Sequence, residues 1–289
     1  MATRGKSINL YLMDGEVSGR IKCTIPNWTG LAFKIPRTSL DLCKYRTELK
    51  QTGIYLLFGS DEKTGRQVVY IGQASVRKNG EGILYRLMEH NRNPKKDYWN
   101  EAIAITTSND SLGPTEISYL EHRFCQLANE AKRYEVKNEN DPTPGNPSEE
   151  KMSELEDFID YARVVVGMLG HKVFVPLIDT ESNMPETNEY FCTRNNSMAS
   201  GIQTSDGFVV RKGSVLSRSL TKSCPEYVIK KREQYKGIID DSNALTEDVL
   251  FSTPSGASSF VCGASTNGNV EWKTKEGKTL KTKNCETEK

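Results

Sequence analysis

Two tyrosines flank a polar turn in the stretch GIYLLFGSDEKTGRQVVYIGQA, residues 53–74. The apolar runs on either side of the turn predict a β-hairpin that carries Tyr55 on one strand and Tyr70 on the other. A phenol has a pKa near 10, so it is a poor base at neutral pH unless a cation or a hydrogen bond stabilises its anion. If the hairpin does chemistry, its partners must come from elsewhere in the chain.

One group of partners lies in the run GILYRLMEHNR, residues 82–92, whose pattern predicts a helix. The apolar stripe of this helix is formed by Ile83, Leu84, Leu87 and Met88. Arg86 and His90 are four residues apart and fall together on the other side. The planar arginine cation suits phosphate oxygens, whereas His90 is about equally well explained as a surface residue.

The second partner is a carboxylate on the helix predicted to begin near Pro114. Glu121 falls on the apolar side of this helix, where an unpaired carboxylate costs free energy. Either it reaches water or pairs with an arginine such as Arg86 or Arg123, or it binds a hard cation such as Mg²⁺. Glu116, further from the centre of the apolar side, is a weaker candidate. Tyrosines, arginine and glutamate together indicate phosphodiester hydrolysis.

The elements around these residues predict an α+β protein. INLYLM and RIKCTI read as strands, PNWTGLAFKIP as a loop, SLDLCKYRTEL as a short helix and WNEAIAITT as a further strand. Residues 179–207 look loop-rich, and GFVVRKGSVL and NVEWKTKEGKTL in the last part of the chain read as strands. A small central antiparallel sheet flanked by helices would then be followed by a second, smaller α+β domain. The predicted segments are an N-terminal β extension (1–50), a catalytic domain (51–140), a linker with a helix (141–206) and a C-terminal domain (207–289).

Composition narrows the class of protein. Hydrophobic residues at 36% and charged residues at 27% are typical of a soluble globular chain. No apolar run reaches membrane-spanning length, and the N-terminus does not read as a secretory signal, so we expect a cytoplasmic protein without a membrane partner. Seven scattered cysteines and three histidines favour reduced thiols and disfavour structural zinc.

Basic residues form two local excesses on a chain of net charge +1. Six basic against three acidic residues lie in 77–97, and eight against three in 205–236. Such excesses either bind nucleic acid or are solvated faces. The nucleic-acid-binding candidates are Arg77, Lys78, Arg92, Lys95, Lys96, Arg211 and Lys212, with Arg218, Lys230, Lys231 and Arg232 as further cations. Tyr227 and Trp272 would suit backbone contact if they are exposed, whereas aromatics such as Phe251 and Trp272 more often lie in the core of a small domain.

The motif order resembles the GIY-YIG endonuclease superfamily. The matching positions are GIY at 53–55, YIG at 70–72, Arg86 with His90, the helical YLE ending at Glu121, and Asn138. NWTG near the N-terminus and the tail LFSTPSGASSFVCGASTNGNVEWKTKEGKTL resemble a bacterial subset that carries an N-terminal β extension and a C-terminal domain of unknown function.

The resemblance implies a hydrolase that cuts nucleic acid, most simply DNA, with one Mg²⁺ or Mn²⁺ and no organic cofactor. Tyr55 would be the general base or a proton relay, and Tyr70 would support the nucleophile and the phosphate. Arg86 would stabilise the pentacovalent phosphate, and Glu121 would hold the metal ion. His90 and Asn138 match auxiliary catalytic positions.

Three alternatives stay open. The spacing from Tyr70 to Arg86 is longer than is usual in the family, so Arg77 competes as the catalytic arginine. The same fold could also serve a nucleic-acid-binding or regulatory protein that does not cut, or a scaffold whose last domain carries the function. The oligomeric state is not indicated by the sequence.

Overall fold

The computed structural model describes residues 5–76, 82–178 and 189–282 and divides the chain into two compact units, Met1–Pro176 and Leu177–Lys289. Each unit combines a sheet with helices, so the predicted α+β class is confirmed. Each has a hydrophobic core of its own. Among the helices in the described ranges, none is long and apolar enough to cross a membrane.

A seven-stranded sheet organises the first unit, with strands in the order β1-β2-β3-β6-β4-β5-β7. All neighbours pair antiparallel except β5 and β7, which run parallel. The strands are β1 (Asn9–Leu12), β2 (Ile21–Thr24), β3 (Gly30–Pro36), β4 (Gly53–Ser60), β5 (Gln67–Ala74), β6 (Trp99–Thr107) and β7 (Glu135–Val136).

Three helices cover the two faces of this sheet: α1 (Ile83–Arg92), α2 (Pro114–Ala131) and α3 (Glu149–Met168). Strand residues alternate between faces, so Ile54 and Leu56 pack with α2 and α3. Tyr55 and Leu57 pack with α1 and with two 3₁₀ helices at Arg37–Cys43 and Thr47–Lys50. The hairpin therefore presents its tyrosines to α1 and its aliphatic residues to α2.

The second unit contains a four-stranded antiparallel sheet in the order β11-β10-β9-β8. Its elements are β8 (Glu189–Cys192), β9 (Ala199–Thr204), β10 (Gly207–Val210), α4 (Glu226–Gln234), β11 (Val249–Phe251), α5 (Pro254–Cys262) and α6 (Gly268–Glu271). Trp272 and Phe251 lie in its core, so the expectation of Trp272 as an exposed contact to the nucleic-acid backbone is wrong.

Three sequence expectations about local structure are wrong. The predicted loop PNWTGLAFKIP contains β3, which pairs along its whole length with β6 because apolar residues at 31–33 and 35 are buried there. In the predicted loop-rich interval 179–207, residues 179–188 lie outside the described residues, and the expectation is wrong for the rest, where β8 and β9 occur and Tyr190 and Cys192 of β8 are buried. NVEWKTKEGKTL, read as a strand, begins as α6 because the Asn267 side chain caps a helical turn.

The unit boundary also differs from the predicted segments. Strands β1 to β3 from the N-terminal extension belong to the same sheet as the hairpin. Helix α3, placed in a linker by its Pro- and Asn-rich surroundings, buries Leu155, Phe158 and Val165 in the core of the first unit. Apolar packing groups the extension, the hairpin domain and this helix together, and β8 and β9 join the second unit.

Candidate active site

The two tyrosines of the hairpin lie on one face of the sheet. Tyr55 pairs with Gly72, and Tyr70 pairs with Leu57. The tyrosines are thus diagonal cross-strand neighbours, with ring centroids 6.2 Å apart. The hairpin alone brings the two phenols together, as the sequence predicted.

The glycines of the two tripeptides are explained by close approach. A Cβ atom on Gly72 would lie 2.3 Å from the Tyr55 hydroxyl oxygen, and one on Gly53 would lie 2.3 Å from the Ile105 carbonyl oxygen of β6. Neither position can hold a side chain without displacing its neighbour. Gly72 in particular lets the Tyr55 ring extend across β5 toward α1.

His90 forms a hydrogen bond with the Tyr55 hydroxyl. The Tyr55 oxygen and His90 Nε2 are 2.8 Å apart, and both residues are buried. Burial, and then the charges of Lys96 and Arg86, lower the pKa of His90 to about 3. Burial also raises the pKa of Tyr55. Both groups are therefore neutral at pH 7 and share one hydrogen bond between the hydroxyl oxygen and Nε2, so the interpretation of His90 as a surface residue is wrong.

Arg86 supplies the positive charge beside the phenols. Its side chain is 40% exposed and forms an ion pair with Glu89 at 2.7 Å. The guanidinium acts on Tyr55 through its charge and through hydrogen bonding, both of which oppose the upward shift of the pKa of Tyr55 by burial. Arg86 thus occupies the predicted place, whereas Arg77 and Lys78 lie outside the described residues.

Glu121 reaches the cluster from α2, on the other face of the sheet. Gln73 Nε2 donates to Glu121 Oε2 at 2.8 Å. Burial raises the pKa of Glu121, while hydrogen bonds from Gln73 and the charge of Arg86 oppose the shift. The charge of Glu121 in turn adds to burial in raising the pKa of Tyr70. Glu121 and the phenols therefore meet around β5 from opposite faces.

Asn138 explains why the groups meet at this part of β5. Strand β7 pairs only with Val68 and Val69 among the described residues. Two residues further along β5, the Asn138 side chain accepts from Ile71 N at 3.1 Å and donates to Ile71 O at 2.7 Å. It thereby satisfies both backbone groups of Ile71 and holds the YIG strand where β7 has ended. This is a positioning contact.

Two contributors were not assigned to the site by the sequence. Gln73 follows YIG directly, but an amide after a strand motif carried no signal of its role. Lys96, predicted as a nucleic-acid contact, places Nζ 3.1 Å from the Tyr70 ring centroid. Glu116, the weaker metal candidate, instead accepts from Gly113 N at 3.0 Å and caps α2.

The other predicted basic contacts are divided between the two units. Arg92 and Lys95 are exposed. In the second unit, Arg211 pairs with Glu189 at 3.1 Å, and the backbone N–H of Lys212 donates to Asp248. Arg232 donates to the Phe260 and Val261 carbonyls at the end of α5.

A divalent cation would have a single carboxylate ligand here. Within residues 5–76, 82–178 and 189–282 no group of three or more His, Cys, Asp and Glu could hold a metal ion. A carboxylate has about four lone-pair sites, so the bonds from Gln73 leave Glu121 able to bind a cation. Mg²⁺ commonly takes one or two protein carboxylates and fills its other positions with water and phosphate oxygens. Glu121 fits such a site.

Comparison with known proteins concerns the second unit. Residues 190–284 match the model of a family described as Domain of unknown function (DUF4357). The matched range contains none of the residues of the candidate active site. No curated protein and no solved structure matches the chain.

Proposed function

We propose that the first unit is a metal-dependent endonuclease of the GIY-YIG kind that hydrolyses phosphodiester bonds in DNA. The observation that carries the proposal is the hydrogen-bonded pair of Tyr55 and His90, with the charge of Arg86 on the same face of the sheet and the Glu121 carboxylate on the other face of β5. These four side chains come from β4, α1 and α2, and they match the motif order of that superfamily. Phosphodiester hydrolysis is a reaction that can use all four groups around β5: a phenol, an imidazole, a guanidinium and a carboxylate.

Proton transfer begins at Tyr55. When water attacks phosphorus, the Tyr55 oxygen accepts a proton from water while its own hydroxyl proton passes to His90 Nε2, 2.8 Å away. The phenol is unchanged by this relay, and the proton ends on the imidazole. A neutral His90 is needed because a protonated imidazole has no lone pair to accept it. Burial next to two cations keeps His90 in that form.

Charge on the phosphate is met by Arg86 and Tyr70. The guanidinium is fixed on α1 and presents planar donors to the phosphoryl oxygens as their charge grows. The neutral Tyr70 hydroxyl donates to a phosphate oxygen or orients the attacking water. Bound Mg²⁺ or Mn²⁺ would neutralise charge on the leaving oxygen. Glu121 would hold the ion, and Gln73 fixes the orientation of that carboxylate.

The test is cleavage of supercoiled plasmid in Mg²⁺ and in EDTA. We expect the protein to nick or linearise DNA only with the metal, and Tyr55→Phe and Glu121→Ala to be at least about 100-fold slower. Tyr45→Phe removes a hydroxyl from a 94% exposed ring, and Glu130→Ala removes an exposed carboxylate from the same helix as Glu121. Both controls should cleave as the unaltered chain does.

Two results would contradict the proposal. One is equal cleavage by Glu121→Ala and Glu130→Ala. The other is no Mg²⁺-dependent cleavage by the unaltered protein of plasmid, single-stranded DNA, branched DNA or RNA. Metal-independent binding without cleavage would support the alternative of a nucleic-acid-binding protein on this fold.

A further inference from the structure

Lys96 is held over the Tyr70 ring by a short turn. The 3₁₀ helix Pro94–Lys96 follows α1, and the Asn93 side chain accepts from Lys95 N at 3.0 Å while Lys96 N donates to Asn93 O at 3.0 Å. This turn places the ammonium nitrogen 3.1 Å from the Tyr70 ring centroid. Lys95, its neighbour in the same turn, is exposed.

The Lys96 ammonium belongs electrostatically to the cluster around Tyr70. The Tyr70 ring meets His90 edge-on at 5.4 Å between centroids, and the charge of Lys96 lowers the pKa of His90. Burial, and then the charge of Arg86, lower the pKa of Lys96 to about 8. Two cations thus converge on the same pair of aromatic rings.

The two cations differ in how their charge is balanced. Arg86 has the Glu89 carboxylate at 2.7 Å. Within the described parts of the chain, no carboxylate forms an ion pair with Lys96, and Glu139 acts on it only through its charge. A half-buried ammonium over an aromatic ring is only partly stabilised by the ring. A ligand anion would complete its environment.

We propose that Lys96 is a second phosphate-binding residue, which contacts a phosphate next to the one held by Arg86. This inference rests on the proposed function and deepens it. The substrate would be a polynucleotide strand with consecutive phosphates, and an isolated phosphodiester would be bound by only half of the site. Lys96 would thus set the register of the strand over Tyr70 without taking part in bond cleavage.

The test compares Lys96→Gln with Lys95→Gln. Gln keeps most of the aliphatic stem over Tyr70 and removes the charge, so the fold should be retained, and thermal melting checks this. The measurement is fluorescence anisotropy of a labelled DNA duplex titrated in EDTA at several salt concentrations. A contact to phosphate adds about 0.9 to the slope of log K against log salt, which a purely structural lysine does not change.

We expect Lys96→Gln to bind the duplex about tenfold more weakly, with a slope shallower by about 0.9. Lys95→Gln should lose less of both. Lys96→Arg, which keeps the charge, should recover most of the affinity. If the duplex binds too weakly without metal, KM for cleavage in Mg²⁺ replaces the dissociation constant, and kcat should change less than KM.

The outcomes separate this inference from the proposed function. If the protein cleaves DNA but the two lysine variants are alike in affinity and slope, the inference is overturned and the nuclease stands. If Lys96→Gln alone loses affinity and slope while no substrate is cut, the nuclease fails and the phosphate contact stands. If the protein neither binds nor cleaves DNA, both the inference and the proposed function are overturned.

Discussion

The burial of Tyr55 and His90 determines which protonation states this hydrogen-bonded pair adopts. Both side chains are at most 4% exposed, and both hold their neutral form because burial disfavours the charged one. In the folded chain one proton is shared between a hydroxyl and a ring nitrogen 2.8 Å apart. In the unfolded chain His90 titrates normally, near pH 6.5.

This difference predicts a pH-dependent stability. Because the folded pKa of His90, about 3, lies below the unfolded value, the unfolded chain binds the proton first as the pH falls. The contribution of neutral His90 is therefore complete above about pH 6.5 and is lost as the pH falls toward 3. Between pH 7 and pH 5 the free energy of unfolding should fall by about 2 kcal/mol more in the unaltered protein than in His90→Gln.

Urea denaturation at the two pH values gives this double difference, in which any constant effect of the substitution cancels. An NMR titration of the His90 ring in the folded chain is the independent check. Equal losses in the two proteins, or a ring that titrates near pH 6.5, would show that His90 is not held neutral by the fold.

At the scale of single residues, the sequence indicated the chemical groups but not their environments. Tyr55, Tyr70, Arg86 and Glu121 were identified by motif order, and the structure places them around one strand. The burial of His90 could not be predicted from the helical pattern, because it depends on a ring that reaches it across Gly72. Gln73 and the place of Lys96 over Tyr70 likewise depend on the pairing of distant segments.

At the scale of elements, the β4–β5 hairpin depends on Gly72, whose lack of a side chain leaves space for the Tyr55 ring. Gly72→Ala would place a Cβ atom 2.3 Å from the Tyr55 hydroxyl oxygen, so the ring must move and its bond to His90 must break. We expect a loss of about 1–3 kcal/mol in the free energy of unfolding, together with the loss of any Mg²⁺-dependent cleavage.

Gly167→Ala in α3 is the matched control for that substitution. Nothing lies within 4 Å of an added Cβ there, so the change should stabilise the chain by about 0.5–1 kcal/mol through helix propensity. Urea denaturation compares the two variants. A Gly72→Ala protein as stable as the unaltered one, with cleavage intact, would mean that Tyr55 does not need this space.

Asn138 makes a second prediction at this scale, because it continues the edge of β5 beyond β7. Asn138→Asp keeps the acceptor for Ile71 N. It also places a second acceptor against Ile71 O, which in the unaltered protein accepts a hydrogen bond from the Asn138 amide nitrogen at 2.7 Å. We expect the free energy of unfolding to fall by about 1–3 kcal/mol. Asn140→Asp, an exposed neighbour, should change it little. Equal effects of the two substitutions in urea denaturation would contradict the positioning role.

Element prediction succeeded where the periodic pattern was long or regular and failed where it was short. The hairpin, α1, β6 and α2 follow from alternation or helical spacing. Strand β3 was missed because Pro, Asn and Trp precede it and Gly is its first residue, although its pairing with β6 buries Phe33 and Ile35. Strands β8 and β9 were missed because four and six residues beside a polar segment carry little signal of alternation.

At the scale of the whole molecule, the chain has separate cores. The last core residue of the first unit is Phe174, and the first core residue of the second unit is Tyr190. Tyr55, Tyr70, Arg86, His90, Lys96, Glu121 and Asn138 all lie in the first unit. A core of its own is what allows a segment to fold alone, so the candidate site should form without the second unit.

The fragments 1–178 and 179–289 should therefore each fold. By thermal melting we expect each to show a cooperative transition within about 5 °C of a transition in the whole chain, since that interval corresponds to only about 1–2 kcal/mol for units of this size. An unfolded 1–178 fragment would contradict the division. Because every side chain of the candidate site lies in 1–178, this fragment should also retain Mg²⁺-dependent cleavage, with DNA affinity lowered only as far as the second unit contributes to it. A folded fragment 1–178 that cannot cut DNA cut by the whole chain would instead require a group from residues 179–289 in the reaction.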